Sequence, residues 1–118
     1  MTSFTNRTAF ITGGASGIGR ALCLALSARG ANIRVADIDL AAAQSVASAC
    51  GAGAHAVKVD VRDAAALKQA IESFANDHGR LDYIFNNAGI GVAGETDEIP
   101  MAEWQRIVDI NLYGVLNG

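Results

Sequence analysis

The spacing Thr12-Gly13-x-x-x-Gly17-x-Gly19 follows an apolar run, Thr8 to Thr12, and opens an amphipathic stretch over residues 18–29 that Gly30 can terminate. Glycines let the backbone come close to a ligand, and a helix starting there presents unpaired N–H groups and a positive dipole end. The chemistry this suits is capture of a pyrophosphate, with the main-chain amides near Ser16 and Ile18 as donors. Asp37 lies about twenty residues further on, at the end of the next apolar run, where a carboxylate can accept from ribose hydroxyls. It could instead cap the following helix, but Asp39 directly precedes Leu40-Ala41-Ala42 and is better placed for that. Asp60-Val61 and Asn86-Asn87-Ala88-Gly89 follow the next two apolar runs. Each taken by itself reads equally as a cap or turn, since Asp and Asn favour both, and Asp63 competes for the cap before Ala64.

The scaffold these residues need is legible in the hydrophobic pattern. Strands are predicted over residues 8–12, 32–36, 54–59 and 82–85, and helices over 18–29, 40–50, 63–77 and 100–117. The result is a βαβαβαβ series, one α/β domain spanning residues 1–118. Strands apolar on both faces suit a parallel sheet covered by helices on each side, and right-handed crossovers leave few topologies. Residues 90–99, with Gly91 and Gly94, make the longest predicted loop and the most mobile candidate.

Composition narrows the partners. A hydrophobic fraction of 51% with a single Pro is that of a packed α/β domain. A net charge of −3 offers no basic surface, so neither nucleic acid nor an anionic membrane is an expected partner. The first residues carry no apolar leader pattern and no later run reaches the ~18 residues of a membrane span, so a cytoplasmic location is expected. Cys23 and Cys50 fall in helical patterns without a Cys-x-x-Cys or Cys/His cluster, which reads as reduced packing residues, and no metal is expected.

The glycine spacing together with Asn86-Asn87-Ala88-Gly89 closely resembles the classical short-chain dehydrogenases/reductases, along the N-terminal half of that family. The resemblance implies a Rossmann-type doubly wound parallel sheet of four strands in the order 3-2-1-4, truncated relative to the family. That order would place the glycine turn and the Asn-Asn-Ala-Gly segment on either side of one crevice at the switch point. Implied cofactor contacts are Gly13, Ser16, Gly17, Ile18 and Gly19 at the pyrophosphate, Asp37 at the adenosine ribose, Asp60 and Val61 at the adenine, and Asn87, Ala88 and Gly89 at the cofactor's ribose. One of the two asparagines would also tie neighbouring strands together. NAD is favoured over NADP, because a 2′-phosphate would meet Asp37 as a like charge and neither Ala15 nor Ile38 supplies a cation.

Asn111 is polar on an otherwise apolar helical face with Trp104, Val108 and Val115. A buried amide there would need partners. It is either a structural amide or, as the resemblance implies, a catalytic one that holds a water of the proton relay at a helix kink.

Hydride exchange at a carbonyl carbon also requires a proton at the oxygen. The family uses a Ser and a Tyr-x-x-x-Lys pair, and neither pattern occurs here: Asn87 stands at the fourth position after Tyr83, and Asn117 after Tyr113. His55 and His78 stand apart from these motifs and are assigned no role. The expectation is therefore the cofactor-binding half of an NAD-dependent oxidoreductase, inactive by itself, whose full-length form takes a small alcohol or carbonyl substrate. A non-catalytic nucleotide-binding module is the rival, and a remnant that binds nothing the third. The last residues break off an apolar helical pattern, and Tyr83 to Phe85 would leave an uncharged sheet edge, so a homo-oligomer is expected.

Overall fold

A computed structural model describes residues 3–91 and 94–118. Val92 and Ala93 of the long loop, and Met1 and Thr2 of the first segment, lie outside the described residues. The elements run β1 (Thr8–Thr12), α1 (Gly17–Ala28), β2 (Asn32–Asp37), α2 (Leu40–Cys50), β3 (Ala54–Lys58), α3 (Ala64–His78), β4 (Tyr83–Phe85) and α4 (Met101–Val108). A π-helical turn, Asp109–Tyr113, then leads into the short α5 (Gly114–Asn117). The four strands are parallel in the order β3-β2-β1-β4, which makes the sheet a Rossmann-type one with β1 at its centre.

All five residues of β1 are buried, and their alternation divides the core. Ala9 and Ile11 face Ile33 and Val35 of β2 with Cys23 and Leu26 of α1 and Ala43 and Val46 of α2. Phe10 points to the opposite side, against Ala36, Leu67, Phe74 and the edge of Ile110. Helices α1 and α2 therefore cover one face, and α3 with the π turn covers the other, the doubly wound arrangement that parallel strands require.

Helix starts follow local chemistry. The Asp39 and Asp63 side chains accept from the Ala42 and Ala66 amides, capping α2 and α3. Asp37 is left to other duties. Strand and helix ends differ from the sequence expectation by a residue. Asp37 is the last residue of β2, Val59 lies just past β3, and Asp82 stands before β4, where its carboxylate accepts the Thr8 amide at 2.8 Å. The larger departure is at the end of the chain, where the single helix predicted over 100–117 is broken by the π turn. The face carrying Trp104, Val108, Asn111 and Val115, expected to be buried, is exposed. The π turn holds an extra residue per turn, so the 3.6-residue stripe does not continue through it. Ile110 and Gly114 are the residues that pack inward, Gly114 directly against Val61.

Candidate functional site

A cleft of about 440 Å³ lies at the carboxyl ends of the strands, within the span of ordinary small-molecule sites. Along it lie Gly13, Ser16, Gly17 and Ile18 from the glycine turn, Asp37 and Ile38 after β2, Val59 to Arg62 after β3, and Asn87 to Ile90 after β4. Arg106 and Ile110 close its far side.

The glycines have separable tasks. Gly13 is left-handed at φ 63°, and a methyl group there would sit 2.9 Å from the Ala88 Cα, so the turn and the β4 segment touch through it. Gly19 is buried, and a methyl group there would overlap the Gly13 carbonyl, which keeps α1 close to the turn. Gly17 differs: at φ 55° it faces open space, with nothing within 4 Å of where a side chain would begin. Ser16, the N-cap of α1, is extended, and its hydroxyl makes no capping bond. The amides of the first turn have no partners within the helix. A bare concavity of main-chain donors at a helix start, with a hydroxyl beside it, fits a pyrophosphate.

Asp37 closes the turn from the β2 side. Its Oδ2 accepts from the Ala15 amide at 3.1 Å and its Oδ1 from the Asp39 amide at 3.0 Å. Each oxygen keeps a further lone pair for a hydroxyl donor.

Asp60, after β3, is gripped by Arg62, whose Nη2 donates to Oδ2 at 2.6 Å. This guanidinium holds the Asp60 carboxyl below the usual carboxylate range, against the opposing effect of burial.

On the β4 side the Thr12 hydroxyl accepts from the amides of Asn87 and Ala88, both at 3.0 Å. The Asn87 side-chain amide donates to the carbonyls of Thr12 at 3.2 Å and Gly13 at 3.3 Å, joining the β4 end to the β1 end.

Asn111 sits in the π turn and meets the backbone of Ile90 in both directions. Its Oδ1 accepts the Ile90 amide at 2.9 Å and its Nδ2 donates to the Ile90 carbonyl at 2.8 Å. It is solvent-exposed, so the desolvation cost expected of a buried amide does not arise. It stands behind residues 89–90, outside the cleft lining, and Gly19 likewise lies beneath the cleft and not on its surface. The other expected contact residues converge on the cleft. Sequence reasoning missed Arg62, Arg106, Ile90, Val59 and Ile110 as lining. Arg62 carried a signal, since an Arg two residues after an Asp can fold back on it in a turn, whereas Arg106 and Ile110 depend on how α4 docks.

A parallel sheet in the order β3-β2-β1-β4, with a glycine turn opposite an Asn-Ala-Gly segment at the switch point, defines a Rossmann-type α/β protein. The sequence pattern of the family described as short chain dehydrogenase matches residues 7–118, and the chain belongs to that family. It is 40% identical over 116 residues to a cyclohexanol dehydrogenase of Acinetobacter sp., covering 95% of this chain and 46% of that protein. Over 109 residues it is 39% identical to a galactitol 2-dehydrogenase of Agrobacterium fabrum, covering 92% of this chain and 43% of that one. A 3-ketoacyl-(acyl-carrier-protein) reductase from Brucella melitensis, solved in complex with NADH, superposes with a TM-score of 0.93 at 34% identity, covering 98% of this chain and 48% of that one. The chain thus spans about half the length of these relatives. Among the described residues no helix is long and apolar enough to cross a membrane.

Proposed function

We propose that the chain is the cofactor-binding part of an NAD-dependent oxidoreductase acting on a small alcohol or the corresponding carbonyl compound. The observation that carries this reading is the convergence of two separate motifs, Gly13 with Ser16 to Ile18 and Asn87 to Gly89, on one cleft. The cyclohexanol and galactitol dehydrogenases among its relatives support the alcohol/carbonyl class. When bound, a nicotinamide dinucleotide supplies or accepts hydride at the substrate carbon.

The chain's own residues bind and orient. The first turn of α1 with Ser16 takes the pyrophosphate, Asp37 takes the adenosine ribose, Asp60 and Val61 take the adenine edge, and the segment from Asn87 to Gly89 forms the wall along the other ribose. Asp37 also opposes a 2′-phosphate, and with Ala15 and Ile38 uncharged on either side NAD is the preferred form. Asn111 fixes Ile90 and so shapes the cleft wall, and holding a water of the proton relay is the second role this reading leaves to it. Of the cleft-lining residues none is Tyr, Lys or His, so in this reading the 118-residue chain binds cofactor without completing proton transfer. Both thiols are free, which suits the reducing cytosol as its compartment.

Fluorescence titration with NADH and NADPH tests the proposal. Saturable binding with NADH the tighter is expected. Absence of binding to either nucleotide would overturn it, and equal affinity would remove the assignment of Asp37.

A further inference from the structure

The cations Arg62 and Arg106 line the cleft without a part in the assignments above, and Arg62 is the one that engages an assigned residue. Arg62 grips Asp60 with a fork: its Nε lies 3.0 Å from both carboxylate oxygens, its Nη2 2.6 Å from Oδ2, and its own amide 3.0 Å from Oδ1. The two side chains remain 42% and 31% exposed, so the pair adds little to fold stability. What a planar fork does impose is direction. A carboxylate held along one edge by a guanidinium cannot rotate, and the acceptor positions left to it point one way. Asp60, Val61 and Arg62 all line the cleft.

We propose that Arg62 is a positioning residue that locks the Asp60 carboxylate as an oriented acceptor, and thereby makes the site prefer a 6-amino purine over a 6-oxo purine. This rests on the dinucleotide reading above. A 6-amino group donates into the fixed carboxylate, whereas a 6-oxo group opposes it with lone pairs, and a site built to pair one hydrogen-bond pattern rejects the other. Without the Arg62 side chain only the main-chain amide of residue 62 still holds Oδ1, and the carboxylate is free to turn away from the cleft. The amino purine then loses its acceptor and the oxo purine loses its repulsion.

The test titrates NADH and its hypoxanthine analogue against the unaltered protein, Arg62→Leu and Arg62→Lys, with the ligand-free thermal midpoint of each measured alongside. In Arg62→Leu we expect NADH to weaken about tenfold, the value of one charge-assisted hydrogen bond, and the hypoxanthine analogue to bind as before or slightly tighter. The preference ratio therefore narrows by about the same factor. Arg62→Lys, which keeps the charge but not the fork, falls between the two. Equal losses for both nucleotides would overturn the proposal by showing a merely structural role, as would unchanged NADH affinity in Arg62→Leu. Failure of the unaltered protein to bind NADH would instead overturn the dinucleotide reading on which the proposal stands.

Discussion

The Asp37 carboxylate and the Ala15 amide lie 3.1 Å apart, so the end of β2 is hydrogen-bonded to the glycine turn across the floor of the cleft. In the proposed cofactor complex the same charge would meet any group added to the adenosine ribose. Replacing Asp37 with Ala should weaken NADH and strengthen NADPH, narrowing their difference by about 1–2 kcal/mol, the size of one screened like-charge contact. Paired titrations read this directly, and an unchanged ratio would exclude Asp37 from cofactor selection.

Gly17 and Gly19 should respond in opposite ways to a methyl group. At Gly17 the space is open, so Gly17→Ala costs the fold only the left-handed strain of about 1 kcal/mol while placing a methyl group where the proposed pyrophosphate would sit. At Gly19 the methyl group meets the Gly13 carbonyl, and the fold itself should lose several kcal/mol. Urea unfolding and NADH titration of the two variants separate the effects: binding lost with stability nearly kept in the first, stability lost in the second.

Asn111 holds Ile90 through two hydrogen bonds. Asn111→Ala removes both and should release the Ile90 amide to solvent, raising its hydrogen-exchange rate about tenfold or more while global stability falls by about 1 kcal/mol. Unchanged exchange at Ile90 would show that the loop is held by other means.

Asp82 gives the fold a calculable acid response. The Arg80 guanidinium donates to it at 2.7 and 2.8 Å and holds its carboxyl far below the usual carboxylate range, with the Thr8 amide and Arg7 acting in the same sense. A depressed folded-state value means that the unfolded chain binds more protons. The stabilisation is therefore complete above the ordinary carboxylate value and is lost as pH falls through the range below it. Asp82→Asn should be less stable than the unaltered protein at pH 7, with the gap closing under acid conditions. Parallel stability curves, followed by circular dichroism, would exclude this pair from the acid transition.

β4 is the outermost strand beside β1, and its Tyr83 is exposed, which leaves one row of main-chain groups without a neighbouring strand among the described residues. Exposed Leu112, Tyr113 and Leu116 extend the apolar surface along the π turn and α5. Concentration-dependent self-association is the expected outcome in analytical ultracentrifugation, reduced by Tyr83→Lys. A monomer across the concentration range would count against it.

The central fold was legible because each of its signals is local. The alternation of Ala9, Phe10 and Ile11 between two cores, the caps Asp39 and Asp63, and the stop at Gly30 are set by immediate neighbours, and the strand order came from the resemblance carried by residues 13–19 and 86–89. The end of the chain was legible only in part: the resemblance implied a kink at Asn111, and the π turn is there, but the buried face was misassigned. Asn111 sits in a π turn whose extra residue shifts the pattern, and no period of 3.6 can foresee which side will then face Val61. Arg62 was overlooked for another reason: the Asp-x-Arg spacing permits a fork onto Asp60, but only the turn geometry realises it.

Thr8 and Thr12 stand at the two limits of β1, and their hydroxyls engage opposite ends of β4, accepting the Asp82 amide at 3.0 Å and the amides of Asn87 and Ala88 at 3.0 Å. Three paired residues make too short a ladder to resist sliding. The two hydroxyls act as a gauge, setting where β4 must begin and stop. Slippage by a single residue would turn Ile84 outward and carry Asn87 away from Gly13. The alignment of the cleft wall is thus written into the neighbouring strand, and a Thr12→Val exchange, nearly equal in bulk, would blur it while leaving the packed interior intact.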